Sequence, residues 1–473
     1  EFLRNEKLDH VPFSKIDLEQ YLPELDKLIT LSKERINEIK AEQNSSFENT
    51  ILKLEESSKE LGLLAGIFFN LNSAETSDRM QEIARDFSAK LTKYDNDVNL
   101  DGELFGKLQA VYNQKESLDL DEESLRVLEK HFDDFSRNGA LLGDDKKEDL
   151  RALDEKLAQT SLSFGENLLS ETKAFEIFLN DDEVKGLPEG IKESFKEAAT
   201  EKDHDGKFLV NLDYPSYVPF MQYAENRELR EKLYRARMSL CFNESKTSNV
   251  QNIKDLVRLR DERAKLLGFS NHAEFTLKKR MAEKEEKVFS FLDELKLKAF
   301  PKAKEELEEL KQFAKKNGFE GQLERWDYSF WSEKLKKEKL SLDTELLRPF
   351  FKLENVVDGV FQVANKLYGL TFTKDDSVDV YHEDVTAYRV SDESGSNVGL
   401  FYADFFPRKG KRGGAWMTVY KEQFIKSGED YRPHISIVCN FTKPSKTKPS
   451  LLNFEEVTTL FHEFGHALHG LLT

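Results

Sequence analysis

The sequence predicts a mainly α-helical protein with a small β region shortly before its last helix. Leucines and other apolar residues recur every three to four positions, separated by Lys and Glu, through residues 1–170 and again over about 225–370. Charged residues make up 34% and hydrophobic residues 38% of the chain, a balance that suits helices with long exposed faces. Because 473 residues are too many for one ordinary hydrophobic core, we expect two or three packed units.

Two largely helical regions come first in chain order. The first covers residues 1–170, where the helical periodicity continues throughout. The second, residues 171–377, is helical except for two short apolar runs that predict strands at 174–179 and 208–212. Between these strands, the Gly-Leu-Pro-Glu-Gly sequence at 186–190 indicates a loop or the start of a helix.

The third region, residues 378–473, combines strands with one final helix. Its best strand candidates are residues 398–406 and 434–441. A basic, Gly-rich loop at 408–415 lies between them, and a linker rich in Lys, Pro, Ser and Thr at 442–450 precedes the last helix. The loop could bind phosphate or nucleic acid, although it lacks the Gly-rich pattern of nucleotide-binding loops. A flexible segment beside a peptide substrate is an equal interpretation.

The overall charge argues against several classes of partner. With 71 basic and 89 acidic residues, the formal net charge is −18, which opposes binding to nucleic acid and to anionic membranes. No apolar stretch approaches the ~20 residues that span a bilayer. The first residues lack a signal-peptide pattern and an initiator Met, so we expect that upstream residues were removed. We predict a cytoplasmic protein, with the bacterial periplasm or cell envelope as the alternative.

The last helix has a clear start and two distinct faces. Asn453 can cap it, with Glu456 three residues on completing a capping box. Three histidines, His462, His466 and His469, fall together on one face at positions i, i+4 and i+7. The opposite face is a continuous apolar stripe, formed by Val457, Leu460, Phe461, Phe464, Leu468 and Leu471.

His462, Glu463 and His466 form the H-E-x-x-H pattern of zinc peptidases. One helical turn brings two imidazoles within the ~2.0–2.1 Å reach of a single zinc ion. Glu463 lies about 100° round the helix from its neighbour, so its carboxylate can meet a zinc-activated water without binding the metal. We therefore predict zinc ligands at both histidines and a general base at Glu463. The alternative is that the two histidines only pack against neighbouring residues or cap the helix.

The sequence does not show all the ligands that a zinc site needs. The metzincin pattern needs Gly and His after the second ligand, but His469 and Leu472 occupy those positions. No Asp or Glu follows His466, so we expect the third ligand to lie outside this chain or at an unusual upstream position. His469 could be a ligand, but three positions along one straight helix splay too far to converge. A polar surface residue or a partner of a ligand is the alternative.

Other candidate sites have weaker support. The sequence His382-Glu383-Asp384 could hold a cation, and a polar turn before a strand explains it equally. Cys439 lies on a predicted strand with no base nearby, so we do not expect a thiol nucleophile. Cys241 lies far from it in sequence, and we expect both thiols to be reduced and partly buried.

These motifs resemble the thimet oligopeptidase family of zinc peptidases, which includes neurolysin, oligopeptidase A and the bacterial peptidyl-dipeptidase Dcp. Residues 460–469 are similar to the family's zinc signature, and residues 413–418 and 432–437 look most like the Dcp branch. Further similar segments occur in the family's order along the whole chain, at 47–51, 137–142, 164–169, 263–269, 326–328, 402–408 and 411–415.

The resemblance implies a two-lobed, neurolysin-like helical fold with a deep channel and zinc at its floor. It implies that His462 and His466 bind zinc and that Glu463 is the general base. The Dcp branch implies release of dipeptides from the C-termini of short peptides, and an oligopeptidase A-like endopeptidase is the alternative.

Family members also continue past this point, through a helix with a Glu ligand and groups that grip the substrate. We therefore expect a truncated catalytic domain that is inactive alone, holds zinc weakly and binds peptides without cutting them. A complementary C-terminal fragment would restore the site.

Overall fold

The computed structural model describes residues 2–5, 7–445 and 448–473. Its α-helices, in chain order, are α1 Tyr21–Ala41, α2 Lys53–Ser57, α3 Lys59–Ala74, α4 Asp78–Asn99, α5 Gly102–Tyr112, α6 Glu122–Arg137, α7 Asp144–Ala174, α8 Glu189–Thr200, α9 Tyr214–Tyr223, α10 Arg227–Met238, α11 Val250–Leu266, α12 His272–Leu277, α13 Glu285–Lys316, α14 Arg325–Leu340, α15 Leu353–Tyr368 and α16 Phe454–Leu472. The strands are β1 Glu176–Leu179, β2 Phe208–Asn211, β3 Thr371–Lys374, β4 Val385–Ser391, β5 Asn397–Asp404, β6 Trp416–Lys421, β7 Phe424–Lys426, β8 Glu429–Tyr431 and β9 His434–Val438. The prediction of a mainly α-helical fold is confirmed.

The two strands predicted in the middle of the chain are present and pair with each other. β1 and β2 are antiparallel, with Glu176 opposite Asn211 and Leu179 opposite Phe208. The segment at 186–190 contains the start of α8, at Glu189. Apolar residues from β2, α8 and α9 form one core beside this pair, so the hairpin and its helices fold against each other.

The larger sheet has five strands in the order β3-β4-β5-β9-β6. β5 and β9 are parallel, while the other neighbours are antiparallel. The predicted strands at 398–406 and 434–441 are therefore present but shorter, because the regular pairing ends at Asp404 and Val438. Irregular pairing continues beyond them: Cys439 N donates to Asp404 O at 2.7 Å and Phe441 N donates to Phe405 O at 2.8 Å.

Helices cover both faces of this sheet. One face packs against α1, α3 and α4 through a core that includes Leu400, Tyr402 and Tyr420. The other face packs against α15 and α16 through a core that includes Phe401, Ile435 and Ile437. The sheet therefore connects the N-terminal helices to the last helix. The proposed division at residues 170 and 377 stays a prediction, and the sheet begins before the second boundary, at Thr371.

No helix within the described residues combines the length and the apolar character needed to cross a bilayer.

Candidate active site

The start of α16 is fixed by a reciprocal pair of hydrogen bonds. Asn453 Oδ1 accepts from Glu456 N at 2.8 Å, and Glu456 Oε2 accepts from Asn453 N at 2.8 Å. The second carboxylate oxygen of Glu456 accepts from Thr442 N at 2.8 Å, which ties the helix to the chain leaving β9. Burial raises the pKa of Glu456, and these donors oppose the rise. The predicted capping box is therefore present and also anchors the helix.

The body of α16 packs closely on the sheet because two glycines leave room for it. A Cβ atom on Gly470 would lie 2.8 Å from Ile435 Cδ1 on β9, and 3.9 Å from Met417 Cε on β6. A Cβ atom on Gly399 of β5 would lie 2.7 Å from Leu471 Cδ2. Most of the predicted apolar stripe faces this contact, with Leu460, Phe464 and Leu471 buried and Val457 and Leu468 partly buried, while Phe461 is exposed.

An arginine caps the C-terminal end of α16. Arg432 Nη2 donates to the Leu471 carbonyl oxygen at 2.8 Å, and its Nε donates to Val398 O at 2.7 Å. A cation at this end also opposes the negative end of the helix dipole. Both ends of α16 are thus tied to the sheet or to its loops, which holds the histidine face in one orientation.

His462 and His466 converge on one point outside α16. Their Nε2 atoms lie 3.2 Å apart, and both side chains are exposed. Two nitrogens bound to a tetrahedral zinc at ~2.0–2.1 Å are separated by roughly 3.3–3.4 Å. The pair therefore fits zinc, although an N–H···N hydrogen bond between two imidazoles has a similar length.

Glu463 lies at the border between the histidine face and the buried face of α16. Its residue is only 7% exposed, in contrast to its histidine neighbours. Glu463 and Gly470 are seven residues apart, which is close to two helical turns, so they share one side of the helix. That side faces β9 and β6, since Gly470 contacts Ile435 and Met417 there. Glu463 therefore lies on the side of α16 between the histidine pair and strands β9 and β6.

His469 and the third ligand differ from the histidine pair. His469 is exposed, and its carbonyl oxygen accepts a hydrogen bond from Thr473 Oγ1 at 2.5 Å. Within the described residues, no three His, Cys, Asp or Glu side chains come together in a way that could hold a metal ion. The structure thus brings together two of the predicted metal-binding side chains and does not bring His469 into a set of three.

The basic loop is not the open cationic surface that phosphate or nucleic acid would need. Lys411 is fully buried, and its Nζ donates to Asp404 Oδ1 at 2.7 Å. Arg408 donates to both oxygens of Asp404, at 2.9 and 2.7 Å, and also to Glu75. Only Lys409 and Arg412 among these four cations are exposed. The phosphate interpretation is therefore not supported, because two of the charges are already neutralised inside the protein.

Burial and charge act in opposite directions in this cluster. Burial lowers the pKa of Lys411 to about 8, although Asp404 favours its charged form. Burial alone would raise the pKa of Asp404, but Arg408 and Lys411 hold it below its usual value. The loop is also fixed by backbone contacts, since Thr76 N donates to Gly410 O at 2.8 Å. The predicted flexibility is thus not what the hydrogen bonds indicate.

The remaining sequence candidates have structural roles. Asp384 N donates to His382 Nδ1 at 3.1 Å, and the turn leads directly into β4, which favours the polar-turn interpretation. Burial raises the pKa of the Cys439 thiol well above its usual value, and raises that of Cys241 to about 11. Both thiols are buried and unpaired, so neither is suited to act as a nucleophile.

Sequence reasoning missed the residues that hold the site in place. Asp404 could have been suspected, because it is a lone carboxylate in an apolar predicted strand and buried charges need partners. Asn440 donates to the carbonyl oxygens of Arg412 and Gly414, at 3.0 and 2.7 Å, but no local pattern marks it. Arg432 carried no signal either, since its partner carbonyls belong to distant elements.

Known proteins are similar to this chain along nearly its whole length. The family model described as Peptidase family M3 matches residues 220–473. A dipeptidyl carboxypeptidase of Escherichia coli (strain K12) is 36% identical over 464 residues, which cover 97% of this chain and 68% of that protein. An oligopeptidase A of Haemophilus influenzae is 33% identical over 469 residues, covering 98% of this chain and 69% of that protein. An organellar oligopeptidase A of Arabidopsis thaliana is 33% identical over 480 residues, covering 98% of this chain and 60% of that protein. The chain thus spans less than two thirds of the last relative and slightly more than two thirds of the others.

Proposed function

The chain belongs to peptidase family M3, and from that premise we propose a zinc-dependent peptidase that cuts short peptides and releases C-terminal dipeptides. The observation that carries the proposal is the 3.2 Å separation of the His462 and His466 Nε2 atoms, with Glu463 next to His462 on the same helix. The release of dipeptides is supported by the relative named dipeptidyl carboxypeptidase, which is 36% identical.

Each residue of the motif has a separate task in this proposal. His462 and His466 would hold zinc through their Nε2 atoms. A zinc ion bound there supplies Lewis acidity, which activates water and polarises a peptide carbonyl group. Glu463 accepts the proton of the attacking water and passes it to the departing amine. Its burial on the side of α16 next to the histidine face suits a group that moves a proton without binding the metal.

The edge strand β6 offers a place for an extended peptide. It is the last strand of the five-stranded sheet, and α16 packs across β9 and β6. A peptide that adds to an edge strand gains main-chain hydrogen bonds, whatever its side chains. Such a peptide would run past the Glu463 side of α16, where its carbonyl groups could reach the zinc site. Short, unstructured peptides are therefore the proposed substrates.

Two other functions remain as candidates. The relatives named oligopeptidase A, at 33% identity, support an oligopeptidase A-like endopeptidase as the alternative. A protein that binds peptides without cutting them would show binding but no hydrolysis. The cytoplasmic location stays a prediction.

Replacing Glu463 with Gln tests the proposal. We expect Glu463→Gln, made in the full-length protein, to lower peptide hydrolysis by about 100- to 10,000-fold, because the general base is lost. Zinc content, measured by atomic absorption, should not change, because both imidazoles remain. His469→Gln is the matched control on the same helix and should retain both zinc and activity. Full activity in Glu463→Gln would contradict the assigned role.

A further inference from the structure

We propose that the first half of α13 is a surface at which two copies of this protein pair, with their α13 helices antiparallel. This inference goes beyond the proposed peptidase function and does not depend on it. Three observations support it: an exposed apolar stripe along α13, the order of the charges beside that stripe, and an apolar groove at the far end of the same helix.

The first half of α13 is exposed on all sides. Every residue from 289 to 306 is exposed, over about five turns and roughly 27 Å of helix. Six large apolar side chains in this half are 47–77% exposed: Phe289, Phe291, Leu292, Leu295, Leu297 and Phe300. Together they present roughly 600 Å² to solvent. Because soluble monomers rarely expose more apolar surface than this in one place, the patch indicates an interaction site.

Part of this surface forms a stripe that one facing helix could cover. Its residues lie within about 80° of one another around the helix axis. They are Phe289, Leu292, Phe300, Ala303 and Leu307. Lys296 interrupts the stripe between Leu292 and Phe300, but the apolar stem of a lysine can lie over a facing ring while its charge reaches water. Apolar residues at spacings of three and four along one side are typical of paired helices.

The charges beside the stripe favour an antiparallel second copy as its partner. Glu286, Asp293, Lys304 and Lys311 follow one border of the stripe, within about 20° of one another. In an antiparallel pair with a two-fold axis, this border faces the same border of the other copy. Asp293 then lies opposite the partner's Lys304, and Glu286 opposite the partner's Lys311. Both pairs are centred between residues 298 and 299, so one arrangement satisfies all four charges.

The apolar residues come into register about the same centre. Phe289 lies opposite the partner's Leu307, and Leu292 opposite the partner's Ala303, to within one residue. Large side chains thus face smaller ones, which allows two helices to pack closely. The charges and the apolar residues therefore specify the same antiparallel arrangement.

A groove at the end of α13 provides a place for the partner's Phe289. It lies between α13 and α14 and has a volume of about 700 Å³. Its apolar lining residues are Leu307, Leu310, Leu335 and Leu340. An aromatic side chain that fills a pocket is a common anchor of an interface, and the two-fold axis would form this contact twice.

The size and charge of the surface indicate a reversible dimer. About 600 Å² per copy is at the lower end of the range for specific interfaces. The net charge of −18 on each copy also opposes association. We therefore expect dimers in the micromolar range. At lower concentrations the stripe is exposed, as it is in the structure.

Sedimentation velocity at about 1–100 µM protein tests the inference. The mean mass should rise with concentration from 54.9 kDa toward twice that value. Leu292→Asp places a charge in the middle of the stripe and should weaken association at least about tenfold. The matched control is Ile425→Asp on β7, where the parent side chain is 71% exposed and lies outside α13, and it should leave association unchanged. Circular dichroism checks that both variants keep their helix content.

Two charge reversals test the direction of pairing. Asp293→Lys and Lys304→Glu each place like charges opposite one another, so each variant alone should associate about three- to thirtyfold more weakly. An equal mixture of the two variants should restore the parental affinity, because each copy then carries the charges that complement the other. Contacts within one copy cannot produce this rescue, since residues 293 and 304 are roughly 16 Å apart along the helix.

Three results would overturn the inference. The first is a monomer throughout the concentration range. The second is a dimer that persists unchanged in Leu292→Asp, which would assign association to another surface. The third is a mixture of the two charge variants that associates no better than either alone, which would exclude antiparallel pairing of α13.

Discussion

Helices α13 and α16 have similar apolar patterns and very different surroundings. α16 has 19 residues, and its buried face lies against the five-stranded sheet. α13 has 32 residues, of which only Leu310, Phe313 and Ala314, near its end, are buried. Much of the rest of α13 presents large apolar side chains to solvent: Phe289, Phe291, Leu292, Leu295, Leu297 and Phe300.

The difference shows what an amphipathic pattern does and does not determine. Apolar residues at three- to four-residue spacing predict a helix, and both helices form. The pattern gives no information about whether another surface covers the stripe. α16 has a sheet whose glycines admit it closely, while the first part of α13 has no comparable surface among the described residues. The alternating charges that predict a solvated helix agree with the exposure of α13.

The largest expected effect comes from a matched pair of substitutions. Phe464 on α16 is 4% exposed, and its ring contacts the rings of Phe361, Phe372 and Phe401. Phe464→Ala should lower the free energy of unfolding by about 3–5 kcal/mol, because it leaves a cavity in the core. Phe291 on α13 is 61% exposed, so Phe291→Ala should change it by less than about 0.5 kcal/mol.

Urea unfolding followed by circular dichroism measures both values. Equal losses for the two variants would show that α13 is covered in solution and would remove the contrast between the helices.

The free energy of unfolding should depend on pH through the sheet that packs against α16, because that sheet contains a buried histidine. Burial, reinforced by Lys421, lowers the pKa of His434 on β9 to about 3, and Asp9 opposes the shift. The unfolded chain takes up this proton near pH 6.5 and the folded protein does not, so stability falls as the pH drops below 6.5. Between pH 6.5 and 4.5 the loss from His434 alone should be roughly 2–3 kcal/mol.

Unfolding free energies at these two pH values test the prediction. His434→Phe removes the titrating group and should make stability nearly flat across the interval, apart from contributions of other residues. The same pH slope in the parent protein and the variant would assign the acid sensitivity to another group.

The smallest expected effect concerns the two helix starts. Asn453 caps α16 through its side chain, whereas Lys284, at the equivalent position of α13, forms no side-chain cap. Asn453→Ala should therefore lower the free energy of unfolding by about 1 kcal/mol. Lys284→Ser introduces a capping hydroxyl into an extended backbone and should raise it by roughly 0.5–1 kcal/mol.

Thermal unfolding of the two single variants and the double variant measures these changes. The effects should add, because the two helix starts belong to different parts of the fold. A loss from Lys284→Ser would show that the lysine side chain contributes there in another way.

The sequence allowed the local features of the fold to be predicted, whereas the non-local features come only from the structure. The capping box at Asn453 and the H-E-x-x-H spacing depend on residues within one or two helical turns. The strands at 398–406 and 434–441 followed from their apolar runs, but not their parallel pairing or their ends at Asp404 and Val438. Those depend on contacts between distant segments.

The basic loop shows the limit most clearly. Its composition predicts an exposed cationic surface, yet Lys411 is buried against Asp404, and Arg408 reaches Glu75, more than 300 residues earlier in the chain. Sequence patterns record the charges of the loop, whereas the partners that neutralise them lie on other elements. Local spacing likewise could not identify the third metal ligand.

The contact between the N-terminal helices and the sheet has a consequence for synthesis. α4 ends at Asn99, and the residues that complete the same core begin at Val378, roughly 280 residues later. At about 5–20 residues per second, a ribosome needs about 15–55 seconds to make that interval. Throughout this time the apolar side of α1, α3 and α4 has no sheet to cover it. The nascent chain, rather than the finished protein, is therefore the form in which this apolar surface favours aggregation.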